Sequence, residues 1–96
     1  MIKHIVFIKF KKENKEQNIL KVKELLESLP SKIECLINIE IGINFDNTSR
    51  AMDLSLYSIF ENKDDFNTYA THKEHLKVVS VIKECSEYTK VVDYTI

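Results

Sequence analysis

Glycine and proline are almost missing: Gly42 and Pro30 are the only ones in the chain. A single glycine cannot build a glycine-rich phosphate loop, which needs several residues without Cβ to bring backbone N–H groups onto a phosphate. Tryptophan is absent, and the two cysteines, Cys35 and Cys85, stand far apart at no metal-binding or redox spacing. They are expected to be reduced, buried thiols of a cytosolic protein. No apolar run approaches the ~20 residues of a membrane span. The first residues enter a strand pattern with no signal-peptide design, so a cytoplasmic location is expected. An excess of one charge is lacking too: 14 basic residues face 15 acidic ones, for a net charge of −1. That excludes the electrostatic footprint of a nucleic-acid binder. Lys9, Lys11 and Lys12 cluster, but Glu13 and Glu16 follow at once, which reads as a solvated strand end. None of the serines sits in a nucleophile-elbow context.

What is present is the material of a folded domain. Hydrophobic residues make up 44% of the 96 positions and charged residues 30%, which argues against disorder. A chain of this length forms one domain, 1–96, and buries roughly 60–70% of its unfolded surface.

Periodicity assigns the elements. Ile2 to Phe10 alternates, with Ile2, His4, Val6, Ile8 and Phe10 on one face and Lys3, Ile5, Phe7 and Lys9 on the other; a period of two predicts a strand. From Lys15 to Leu29 the apolar residues Ile19, Val22, Leu25, Leu26 and Leu29 form one stripe, predicting an amphipathic helix that Pro30 ends. Ile33 to Asn44 alternates again, about twice the usual strand length, so a bulge or bend is expected near Gly42. A polar turn over 45–50 leads into a third strand from Met52 to Phe60 and suits an antiparallel hairpin. Asn62 with Asp65 predicts one capped helix, and Thr71 with Glu74 a capping box opening another, striped by Leu76, Val78, Val79 and Ile82. Tyr88 to Ile96 closes the chain as a strand. The order β-α-β-β-α-β is the ferredoxin-like α+β arrangement, a four-stranded antiparallel sheet with helices on one face.

Helices can cover only one face of such a sheet. The other would present Ile5 and Phe7 from the first strand with Tyr57 and Ile59 from the third. An apolar patch of that kind predicts an interface; two sheets packed face to face form a homodimer burying on the order of 800 Å² per partner.

Little else carries chemistry except the histidines. His75 lies at spacings of three, four and seven from Val78, Val79 and Ile82, so it belongs to the buried stripe of its helix. His4 occupies the apolar face of the first strand. Both imidazoles are expected to reach the space between sheet and helices, with Tyr69 close by at the helix junction. A desolvated imidazole stays neutral and can take a proton near pH 7; a second histidine or a phenol can hold the oxyanion that develops. The alternative, and the commoner case for such residues, is that each is a core residue with a satisfied hydrogen bond. His72 and His75, with Glu74 and Asp64 or Asp65 nearby, lack the further convergent ligands of a zinc site, so neither a metal nor any other cofactor is expected.

Four segments together resemble the stress-responsive A/B barrel domain family. They are Lys3-His4-Ile5-Val6-Phe7-Ile8-Lys9-Phe10, Leu54-Ser55-Leu56-Tyr57-Ser58-Ile59-Phe60-Glu61, Tyr69-Ala70-Thr71-His72-Lys73-Glu74-His75-Leu76 and Val91-Val92-Asp93-Tyr94. The likeness runs through the whole chain in order, and His72-x-x-His75 is its most specific part. It implies a ferredoxin-like monomer that pairs into a dimeric α/β barrel. Some plant members are stress proteins, and at least one plant member is a polyketide cyclase in which two histidines and a tyrosine serve an aldol condensation. Those roles would map to His4, Tyr69 and His75, with Val6, Ile8, Leu56 and Val78 lining the pocket. His75 would then be the base, and Tyr69 and His4 would orient the substrate and stabilise the enolate. The sequence departs from the cyclase at Lys73, where the cyclase has proline, and in carrying smaller aliphatics where it has aromatics.

Three functions follow as alternatives. The first is a cytosolic dimer that binds a small apolar molecule. The second is a cyclase-like or lyase enzyme using His75 as general base. The third is a stress-related structural protein whose interfaces are its function.

Overall fold

In the computed structural model, which describes Met1–Ile96, the alternating opening segment is strand β1 (Ile2–Phe10). There follow α1 (Lys15–Glu27), a 3-10 turn (Leu29–Ser31), β2 (Asn38–Ile43), β3 (Leu54–Phe60), α2 (Lys63–Thr71), α3 (Lys73–Cys85) and β4 (Ser86–Thr95). The four strands form one antiparallel sheet in the order β2-β3-β1-β4, the ferredoxin-like arrangement that the periods predict. Ile2, Ile8 and Phe10 of β1 and Leu54, Leu56 and Phe60 of β3 are buried together with Val22 and Leu26 of α1 and Val78 of α3. Alternation thus places one set of side chains under the helices and leaves the other on the open face.

Three local expectations are corrected. The second strand begins at Asn38, not Ile33. Ile33 and Leu36 are both buried three residues apart, with the Leu36 N–H donating to the Ile33 carbonyl at 3.2 Å; here hydrophobic spacing reflects a turn continuing from the Pro30 corner, not a pleat. Gly42 marks no bulge, since it pairs in regular register with Ser55; the irregularity lies between Lys9 and Phe10 in the β1–β4 pairing. And Leu76 is half-exposed (50%), leaving the stripe of α3 to Val78, Val79, Ile82 and Cys85, of which Val78 and Cys85 are fully buried.

A buried carboxylate ties the end of β1 to α1. Asp53 accepts from the Phe10 N–H at 2.7 Å and from the Lys15 ammonium at 3.0 Å. On the open face the register sets Ile5 beside Tyr57 and Val92, and Lys3 beside Ile59 and Tyr94. Phe7, Val92 and Tyr94 are 37%, 54% and 38% exposed there, so this face carries a contiguous apolar band rimmed by Lys3, Lys9 and Lys90. No helix is long and apolar enough to cross a membrane.

Candidate functional site

The helix layer over β1 is incomplete. Ile2, Ile8 and Phe10 are fully buried, but His4 and Val6 between them are only partly so, and the space above them is a cavity of about 380 Å³. Its walls are His4, Val6 and Ile8 from β1, Leu56 from β3, Leu26 from α1, and His75, Val78, Val79 and Ile82 from α3. Lys83, Ser86, Glu87 and Thr89, at the junction of α3 and β4, form the polar side. A volume of this size, mostly apolar with few convergent polar groups, is that of a small-molecule pocket (~300–1,000 Å³).

The break between α2 and α3 positions His75. Asn62 caps α2 as its sequence suggests, accepting from the Asp65 N–H at 2.8 Å. The cap of α3 is His72 instead of Thr71: the His72 Nδ1 accepts from the Glu74 N–H at 3.1 Å, and the Thr71 hydroxyl donates back to the Asn67 carbonyl at 3.0 Å. His72 is therefore a half-buried structural cap. Its extended backbone re-aims the chain, so α3 starts with His75 turned back under the end of α2. There the His75 Nδ1–H donates to the Ala70 carbonyl at 3.0 Å. A carbonyl only accepts, so the neutral ring carries its lone pair on Nε2. Burial pushes this imidazole below its usual range; the Ala70 carbonyl pulls it the other way, and His4 and His72 add to the lowering.

The His4 ring packs at 5.0 Å from Phe66 and 6.3 Å from Tyr69, centroid to centroid. Its Nδ1 bonds the carboxylate of Asp93, which stands directly opposite on β4. Tyr69 stacks at 4.2 Å against His75 and 4.8 Å against Phe60. Its hydroxyl is buried without a partner and its side chain is not part of the cavity wall. Burial pushes the phenol well above its usual pKa. Sequence and structure thus agree in bringing His4 and His75 to one space, while Tyr69 lies behind the imidazoles. No three His, Cys, Asp or Glu side chains are placed to share a metal ion.

An orphan hydroxyl costs about 1–3 kcal/mol. Tyr69→Phe removes it at constant shape, so thermal denaturation is expected to show the variant equal to or more stable than wild type. A loss of stability would mean that the hydroxyl has a partner in the folded protein.

Asp93 and the capping role of His72 escaped the sequence reading. Asp93 becomes visible only when the β1–β4 register is known, and His72 because a ring nitrogen can cap where a hydroxyl is the usual choice.

Comparison with known proteins agrees with this architecture. The family model described as Stress responsive A/B Barrel Domain matches residues 2–96. A stress-response A/B barrel domain-containing protein of Arabidopsis thaliana is 27% identical over 97 residues, covering 98% of this chain and 85% of its own. A dimeric protein of unknown function and ferredoxin-like fold from Bacteroides fragilis is 37% identical with a TM-score of 0.89, over 99% of this chain and 95% of that one. The hydroxynitrile lyase of Passiflora edulis superposes with a TM-score of 0.88 over 99% and 92% of the two chains at 17% identity, a likeness of fold alone. The chain belongs to the stress-responsive A/B barrel domain family.

Proposed function

We propose that the protein is a cytosolic homodimer whose cavity holds a small, largely apolar molecule, with the His4 and His75 imidazoles engaging its polar end. The observation that carries this reading is the cavity of about 380 Å³ between sheet and helices, walled by aliphatic side chains and reached by both imidazoles. Pairing through Ile5, Phe7, Tyr57 and Ile59 is supported by the apolar band on the open face and by the dimeric relative from Bacteroides fragilis.

Filling the cavity tests it. The side chain of Val79 lines the wall and is only half-buried, so Val79→Phe occupies the space at small cost to the core. Titration of wild type with benzoylacetone, an aryl 1,3-diketone, is expected to shift the methyl resonances of Val6, Ile8, Leu56 and Val78 together and saturably. Val79→Phe is expected to lose that response. Unsaturated shifts at millimolar ligand, or equal binding by the variant, would remove the cavity as a binding site.

One observation favours a second reading, an enzyme of the lyase or polyketide-cyclase-like type. The Nε2 of His75 is unbonded within the protein while Nδ1 is held by the Ala70 carbonyl, and burial keeps the ring neutral. A neutral, oriented imidazole in an apolar pocket is suited to general-base work. His75 would take the acidic proton of a carbon between two carbonyls, with His4 orienting the substrate, while Tyr69, outside the cavity wall, serves only as packing behind His75.

A further inference from the structure

His4 has a partner that none of the sequence patterns assigns. In the β1–β4 register His4 and Asp93 are opposite residues with side chains on the same face. The carboxylate of Asp93 meets the Nδ1 of His4, with the two side chains 40% and 12% exposed. The ring makes no other hydrogen bond: it packs against Phe66 and Tyr69, and the nearby Ser58 hydroxyl donates to the His4 backbone carbonyl. A carboxylate is an acceptor, so Nδ1 must donate, and the neutral ring keeps its lone pair on Nε2. The Ala70 carbonyl imposes the same tautomer on His75. Two separate acceptors, one a side chain and one backbone, therefore orient two imidazoles on the wall of one cavity in the same sense.

We infer that Asp93 is a positioning residue that holds His4 as its Nδ1–H tautomer. The cavity then offers a ligand two imidazole acceptors and selects molecules that carry a hydrogen-bond donor, a phenol or an enol, over carbonyl or ether compounds of the same shape. This deepens the proposed binding function and rests on it for the choice of ligand, though not for the tautomer. The polarity matters because the family resemblance gives His4 a donor's task at an enolate. The bond to Asp93 gives the neutral ring the opposite one.

The ligand-free protein tests the first half. Nitrogen-15 spectra of the histidine rings at about pH 8, above the ordinary histidine pKa of ~6.5, are expected to show His4 with a protonated Nδ1 and a bare Nε2. Asp93→Asn and Asp93→Ala should move His4 toward the Nε2–H form. An Nε2–H tautomer in wild type, or spectra unchanged in both variants, would overturn the assignment. Binding tests the second half: 4-ethylphenol is expected to bind wild type about tenfold more tightly than its methyl ether, the effect of one hydrogen bond. That preference should shrink in Asp93→Asn, a change that simple loss of packing would not produce. Equal binding of phenol and ether by wild type would overturn the selectivity. If neither compound binds while the tautomer is as expected, the cavity reading fails and the positioning role of Asp93 stands.

Discussion

His75→Ala is expected to lower the rate of proton abstraction from a bound 1,3-dicarbonyl by roughly 10²–10⁴, the usual contribution of a positioned general base. The measure is solvent-deuterium exchange at the carbon between the carbonyls, catalysed by wild type and variant under the same conditions. The structural reason is specific. One ring nitrogen is committed to the Ala70 carbonyl, so the other is the only site where a proton can land. Burial pushes the imidazole below its ordinary value of 6.5, so the base form persists into mildly acidic solution and the acid limb of the wild-type profile lies below that value. Stability follows the same sign. Folding lowers the proton affinity of His75, so its contribution is complete above 6.5 and is lost as the pH falls from there through the lower folded value. Equal exchange by the two proteins would remove His75 from any mechanism and leave binding as the function of the cavity.

Phe7→Glu is expected to convert the proposed dimer to monomers, weakening association by about 10³-fold or more. Phe7 lies in the apolar band of the open face and is already 37% exposed in the single chain. The substitution therefore costs the monomer little. In a two-fold dimer every substitution occurs twice, so two carboxylates enter the same desolvated interface; Lys90, the cross-strand neighbour of residue 7, is engaged over the Tyr88 ring at 5.5 Å and offsets only part of that cost. Lys3 is engaged over the Tyr57 ring at 5.4 Å and, with Lys9 and Lys90, belongs to the rim. Sedimentation at micromolar concentration, with circular dichroism to verify folding, reads the result. A wild type that sediments as a monomer, or a variant that stays dimeric, would refute pairing through this face.

Most of the architecture can be read from the order of residues. β1 and β3 alternate cleanly because each has one face against helices and one away from them, so burial and sequence carry the same period. The stretch before β2 misleads for the same reason in reverse. Ile33, Cys35 and Ile37 alternate like a strand, yet Ile33 and Leu36 are the residues that reach the core. A compact turn after Pro30 buries residues three apart, and an alternating sequence cannot distinguish that from a pleat. Thr71 misleads as a cap because its hydroxyl has a competing partner one turn back, the Asn67 carbonyl.

The histidines divide along the same line. Periodicity alone directs His4 and His75 toward the helix-covered side of the sheet, since a strand face and a helix stripe are local, repeating properties of the chain. That the space they meet is hollow depends on how far α1 and α3 stand from β1, a distance no local pattern encodes. Pairing between residues 89 positions apart in sequence sets the Asp93 carboxylate against His4, and packing of Tyr69 between Phe60 and His75 hides its hydroxyl. Residue type and period specify which faces are apolar. Register and inter-layer spacing, settled only when distant segments come together, specify what those faces enclose.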